Sequence, residues 1–96
     1  MTRIVFDEDA RAEFLDAVGY YASCEKELGN RFKDAVAEGA MAILEMPFRF
    51  RSLRGKFRRC LVSGFPYGII YTIEPDFILI VAVAHAKRKP GYWKKR

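Results

Sequence analysis

The sequence predicts an α+β domain of two layers: an N-terminal strand, then a helical hairpin packed on an antiparallel β-sheet, in the order β-α-α-β-β-β. Three observations predict it. Apolar residues recur at helical spacing from about 8 to 45. Short β-branched and alternating segments fill 57–85, divided by Ser63-Gly64 and Pro75-Asp76. No repeat and no Ser/Gly/Pro-rich linker interrupts the 96 residues, so 1–96 forms one domain. A chain that is 51% hydrophobic and 15% aromatic can supply one core, which excludes disorder as a whole-chain description.

Thr2 to Phe6 is short, β-branched and alternating, and reads as a strand. Asp7, Glu8 and Asp9 then supply a helix N-cap and favourable charge for its first turn. Ala10, Phe14, Ala17, Val18 and Tyr21 make a helix over about 8–26, with Gly19 marking a close packing contact. Leu28-Gly29-Asn30 predicts the helix junction, Gly supplying a left-handed cap. A second helix runs from about 30 to 45 with Phe32, Val36, Gly39, Ala40 and Ile43 on one face, and Met46-Pro47 ends it.

Phe48 to Lys56 is an arginine-rich connection. Three strands with short turns follow as a meander. Phe57 to Val62 is the first. Tyr67 to Glu74 is the second, with Ile69, Tyr71 and Ile73 on one face. Phe77 to His85 is apolar on both faces, as in a strand buried on both sides and central in its sheet. Ala82 and Ala84 on one of its faces predict the close approach of a helix. Ala86 to Arg96 is a basic tail with a Pro90-Gly91 turn and a Tyr92-Trp93 pair.

Composition narrows the function classes. The longest apolar run, Phe77 to Ala84, is eight residues, against about twenty for a membrane span. Met1-Thr2-Arg3 followed by acidic residues gives no signal-peptide pattern, which predicts the cytoplasm and reduced Cys24 and Cys60. The net charge of +5 conceals an asymmetry. Residues 1–48 carry five Lys/Arg and ten Asp/Glu, a balance of −5; residues 49–96 carry twelve and two, a balance of +10. A polyanionic or acidic partner is the physical reading of that half.

No phosphate loop, HExxH or CxxC pattern is present, and one His with two separated Cys gives poor support for a metal; no cofactor is implied. Cys24 or Cys60 paired with His85 would be a nucleophile of last resort, since Cys is usually a small buried hydrophobe. His85, the sole histidine, ends the last strand. It either caps a neighbouring loop or serves as an acid–base group on a phosphodiester beside Arg58, Arg59, Lys87 and Arg88. In a regular strand Arg58 and Arg59 point to opposite faces, so only one of them can reach the open face, where a guanidinium suits phosphate. Tyr92 and Trp93 either stack on a base or clamp the tail onto the core. Lys94-Lys95-Arg96 reads as a solvated end.

Phe65-Pro66-Tyr67-Gly68-Ile69-Ile70-Tyr71, the strand ending Ala82-Val83-Ala84-His85, and Arg88-Lys89-Pro90-Gly91-Tyr92-Trp93 together resemble the RelE/ParE-family toxins of bacterial type II toxin–antitoxin systems, also called plasmid stabilisation proteins. Tyr20-Tyr21 and Leu28-Gly29-Asn30-Arg31-Phe32 fit the same pattern, and the likeness covers essentially the whole chain. The resemblance implies a toxin neutralised by a cognate antitoxin whose acidic, amphipathic segment wraps it. It implies one of two targets. RelE-like members cleave mRNA on the ribosome without metal; here His85, Lys87, Arg88 and Tyr92 would be catalytic, with Arg58, Arg59 and Trp93 binding. ParE-like members inhibit DNA gyrase. RelE-like sequences commonly carry Arg where Val62 and Gly68 stand here, and some use a Glu base, yet no Glu occurs between Glu45 and Glu74. The Phe-Pro-Tyr turn and the Pro-Gly-Tyr-Trp ending lie closer to the ParE-like branch. An inactive, antitoxin-binding module is the third reading.

Overall fold

The structure, a computed structural model, describes residues 3–96. Two helices, α1 (Glu8–Cys24) and α2 (Lys26–Glu45), cover one face of a five-stranded sheet. The strands are β1 (Ile4–Phe6), β2 (Arg51–Ser52), β3 (Arg58–Leu61), β4 (Tyr67–Ile73) and β5 (Ile78–His85), ordered β1-β5-β4-β3-β2. The predicted architecture is present with two additions. The N-terminal strand joins the meander in parallel with β5, which makes the sheet mixed. The arginine-rich connection contributes β2, an edge strand too short to show alternation in sequence. Thr2, predicted to open the first strand, lies outside the described residues. β5 is an interior strand but not the middle one; β4 holds that place.

The Asp7 carboxylate caps α1 by accepting the Asp9 N–H at 2.9 Å, with Glu8 and Asp9 in the first turn. The helix junction differs from expectation. The break falls at Glu25, in extended conformation, and Leu28-Gly29-Asn30 lies inside α2. Gly29 is there for proximity rather than for a cap. A Cβ on it would stand 2.8 Å from the Ala22 Cβ and 3.1 Å from the Ala22 backbone. Gly19 is the reverse. It is an exposed helix position where an added Cβ would meet nothing within 4 Å, so it marks no packing contact. Two opposite outcomes are expected in urea denaturation. Gly29→Ala should destabilise by about 1–3 kcal/mol through overpacking, and Gly19→Ala should stabilise by roughly 0.5–1 kcal/mol.

The main core lies between the helices and the sheet, where Ala10, Ala17, Phe32, Val36 and Ile43 meet Cys60, Ile69, Tyr71, Ile78, Ile80 and Val83. The register of β4 with β5 shifts between Ile70 and Tyr71: Ile70 faces Ala82 while Tyr71 faces Ile80. Val81 is therefore the extra residue of a bulge. Val81, Ala82 and Ala84 then share the face away from the helices, where Trp93 of the tail packs on them with Ile70. The small alanines thus make room for an indole, not for a helix.

Tyr71 is fully buried, and its hydroxyl donates to the Pro47 carbonyl at 2.6 Å. Burial pushes its phenol up to about 12. The folded chain holds that proton more tightly than the unfolded chain, so the stabilisation is complete below pH 10 and is lost as pH rises from 10 towards 12. At about 1.4 kcal/mol per unit, this amounts to roughly 2–3 kcal/mol. Tyr71→Phe should reduce the slope of stability against pH over that window. A slope at least as large should remain from Tyr92, which is shifted further in the same direction.

Candidate functional site

The end of the sheet away from β1, together with the tail, gathers most of the residues that sequence singled out. β1 pairs only with Ile78, Leu79 and Ile80, so the last half of β5 has no strand beside it on that edge. Side chains take the strand's place. The Glu13 carboxylate, reaching over from α1, accepts the Val83 N–H at 3.0 Å, and the Arg96 guanidinium donates to the Val81 carbonyl at 3.0 Å. Glu13 also accepts the Tyr92 hydroxyl at 2.7 Å and two Arg96 N–H groups at 2.9 and 3.1 Å, and Arg88 stands 3.7 Å away. The Glu13 and Arg96 side chains are only 15% and 16% exposed, so this charged pair is largely withdrawn from water. Arg96 is thus anchored rather than solvated; Lys94 and Lys95 are exposed, as predicted for all three.

Tyr92 is committed to that cluster. Its ring lies beneath the Arg88 guanidinium, 4.0 Å from the centroid, and Arg96 covers it at 5.0 Å. Burial, and then its hydrogen bond to Glu13, push its phenol well up. Trp93 is 9% exposed and holds the tail on the sheet. His85 packs edge-to-face on Tyr67, and its Nδ1 accepts the Lys87 N–H at 3.0 Å. A neutral ring so bonded carries its proton on Nε2. Lys87 itself is exposed.

The two adjacent arginines separate as alternation requires. Arg58 turns to the helix side, donates to the Phe48 and Phe50 carbonyls at 3.2 and 2.8 Å, and stacks on Phe48. It ties the connection after α2 to β3 and is removed from the open face. Arg59 lies on the open face along Gly68, and with Arg88, His85 and Trp93 it lines a groove of about 360 Å³. Cys60 is buried in the main core, where burial raises its thiol pKa against the opposing charge of Arg49; Cys24 is exposed at the end of α1. Among the described residues, no group of three His, Cys, Asp or Glu could hold a metal ion, and no helix is long and apolar enough to cross a membrane.

Glu13 is the residue that sequence reading missed. It sits three residues after Ala10 and four before Ala17, and so on the buried stripe of α1. An acid at such a position signals a partner from elsewhere in the chain, here the tail.

The profile of the family described as "ParE toxin of type II toxin-antitoxin system, parDE" matches residues 4–90. The chain belongs to the ParE toxin family. No curated protein sequence matches it. Among solved structures, one titled "Chromosomal ParDE TA system from P. aeruginosa" is similar over 91% of this chain and 97% of that one, with a TM-score of 0.78 at 12% identity. That likeness supports the fold: the ParE-like arrangement of two helices on a five-stranded mixed sheet. In this ParE-family chain β3, β4, the end of β5 and the sealed tail line the open groove.

Proposed function

We propose that this chain is the growth-inhibitory toxin of its type II module, that it acts in the cytoplasm by inhibiting DNA gyrase, and that a cognate antitoxin neutralises it. The observation that carries the choice of target is the commitment of the polar groups a nuclease would need. The Tyr92 hydroxyl serves Glu13, Arg58 is bound to backbone carbonyls, and the His85 Nδ1 lone pair, the basic site of a ring protonated on Nε2, is taken by the Lys87 N–H. General acid–base cleavage of a phosphodiester needs such groups free and within reach of one substrate atom. Of the seven residues that sequence nominated, Arg59 and Lys87 make no ion pair among the described residues and Arg88 is held over Tyr92 beside Glu13, which suits docking more than bond cleavage. The +10 balance of residues 49–96 supports an acidic antitoxin segment as the neutralising partner.

Pulse-labelling after induction of this chain alone in bacteria tests the target. DNA synthesis should stop first, with protein synthesis initially spared. Early arrest of protein synthesis would restore the ribosome-dependent mRNA cleavage reading, with His85, Lys87, Arg88 and Tyr92 as the residues to mutate. Unchanged growth would leave a module that only binds its antitoxin.

A further inference from the structure

Three large hydrophobic side chains that the fold leaves in solvent belong to one short stretch. Met41 is 71% exposed on the outer side of α2, Met46 is 52% exposed at its C-cap, and Phe48 is 67% exposed in the turn that follows. That turn is fixed from within. The buried Tyr71 hydroxyl donates to the Pro47 carbonyl, and Arg58 donates to the Phe48 and Phe50 carbonyls while lying 5.3 Å from the centroid of the Phe48 ring. The Arg49 N–H returns to the Met46 carbonyl at 3.1 Å. An exposed apolar turn held in this way loses little freedom when it is covered, and such preorganisation favours association. Met, Phe and Arg are also the residue types enriched in interfaces. Opposite charges flank the apolar residues. Glu45 precedes Met46, and Arg49 follows Phe48, with Arg51 beyond it on the edge strand β2. Among the described residues none of these three charged side chains makes an ion pair.

We propose that this surface pairs with the same surface on a second copy of the chain, around a two-fold axis through Met46 and Phe48. A patch with an acid on one flank and arginines on the other repels part of any purely acidic or purely basic partner, nucleic acid included. A two-fold axis through the apolar centre answers both flanks at once, because it sets Glu45 of each copy against Arg49 of the other. Two ion pairs then close over the paired Met46 and Phe48 side chains, and Met41 widens the apolar floor beneath the arginine stems. Three large side chains per copy suit the small, reversible class of interface, under about 1,200 Å². The inference is independent of the target proposed above, and the surface shares no residue with the groove.

The test is sedimentation velocity on the full chain from about 1 μM to about 1 mM. Monomer should give way to dimer across that range. Phe48→Ser should weaken the dimer at least about tenfold, as loss of a central aromatic anchor does. Arg49→Glu and Glu45→Arg, each alone, should weaken it as much, since each sets like charges face to face. Both changes in one chain should restore the dimer. So should an equimolar mixture of the two single variants, in which both contacts are again opposite in sign. These side chains are exposed, so thermal melts of the variants at low concentration should match the parent; if Phe48→Ser does not fold, the charge exchange carries the comparison. A chain that stays monomeric to about 1 mM would overturn the proposal. So would a dimer indifferent to Phe48→Ser, or a charge exchange that fails to restore what the single changes remove.

Discussion

Glu13→Ala is expected to destabilise the chain by about 3–5 kcal/mol, the cost of breaking a withdrawn ion pair from one side. One carboxylate joins three parts of the molecule: helix α1, the uncovered edge of β5 and the C-terminal tail. Removing it leaves the Val83 N–H and the Tyr92 hydroxyl unanswered, and leaves a mostly buried Arg96 guanidinium with only the Val81 carbonyl and the exposed Asp9. Each neutral donor left unsatisfied costs about 1–3 kcal/mol, and these terms overlap rather than add. Glu13→Gln keeps one acceptor oxygen but presents an amide N–H₂ to donors, so roughly 2 kcal/mol should be lost. The tail should loosen first. Trp93 emission should therefore report exposure at lower urea than far-UV circular dichroism does. A loss below about 1 kcal/mol for Glu13→Ala would mean that the pair behaves in solution as an exposed one.

Phe32→Ala should cost as much, about 3–5 kcal/mol, through the cavity it leaves. Phe32 is fully buried on α2, and its ring centroid lies 5.1 Å from those of Phe65 and Tyr67, 5.2 Å from Tyr21 and 6.2 Å from Phe14. These four rings come from α1, from β4 and from the turn before β4. They cannot close around a methyl group without moving the backbone. Aromatic pairs add about 0.5–1.5 kcal/mol beyond area, which places Phe32→Ala at the upper end of its range. Phe32→Leu should lose about 1–2 kcal/mol. Trp93→Ala should fall below Phe32→Ala in urea denaturation, because the indole is not fully enclosed and its unpaired N–H leaves with it.

Local patterns in the chain were enough for both helices, the three-strand meander and the separation of Arg58 from Arg59, because periodicity reports which face is buried. What sequence could not show depends on distant parts meeting. Gly29 has the composition of a cap, and only the position of Ala22 across the helix corner makes it a contact. Ala82 and Ala84 announce a close neighbour without naming it, and the neighbour is Trp93, close in sequence but brought back over the sheet. The bulge at Val81 puts two successive residues on one face, which breaks the alternation that would have assigned them. Of the nominated site residues, Arg59, His85, Arg88 and Trp93 converge on the groove. Tyr92 is drawn into the Glu13 cluster and Arg58 to the helix side, because each finds a stronger partner inside the chain than solvent or substrate would provide.

The most direct test of the account adds the purified chain to DNA gyrase and relaxed plasmid, with ATP, and follows supercoiling on agarose gels. The account predicts that supercoiling stops as the chain reaches stoichiometry with gyrase, and that mRNA on translating ribosomes stays intact in a parallel reaction. Undiminished supercoiling in a large excess of folded chain, with mRNA cut on the ribosome, would contradict it.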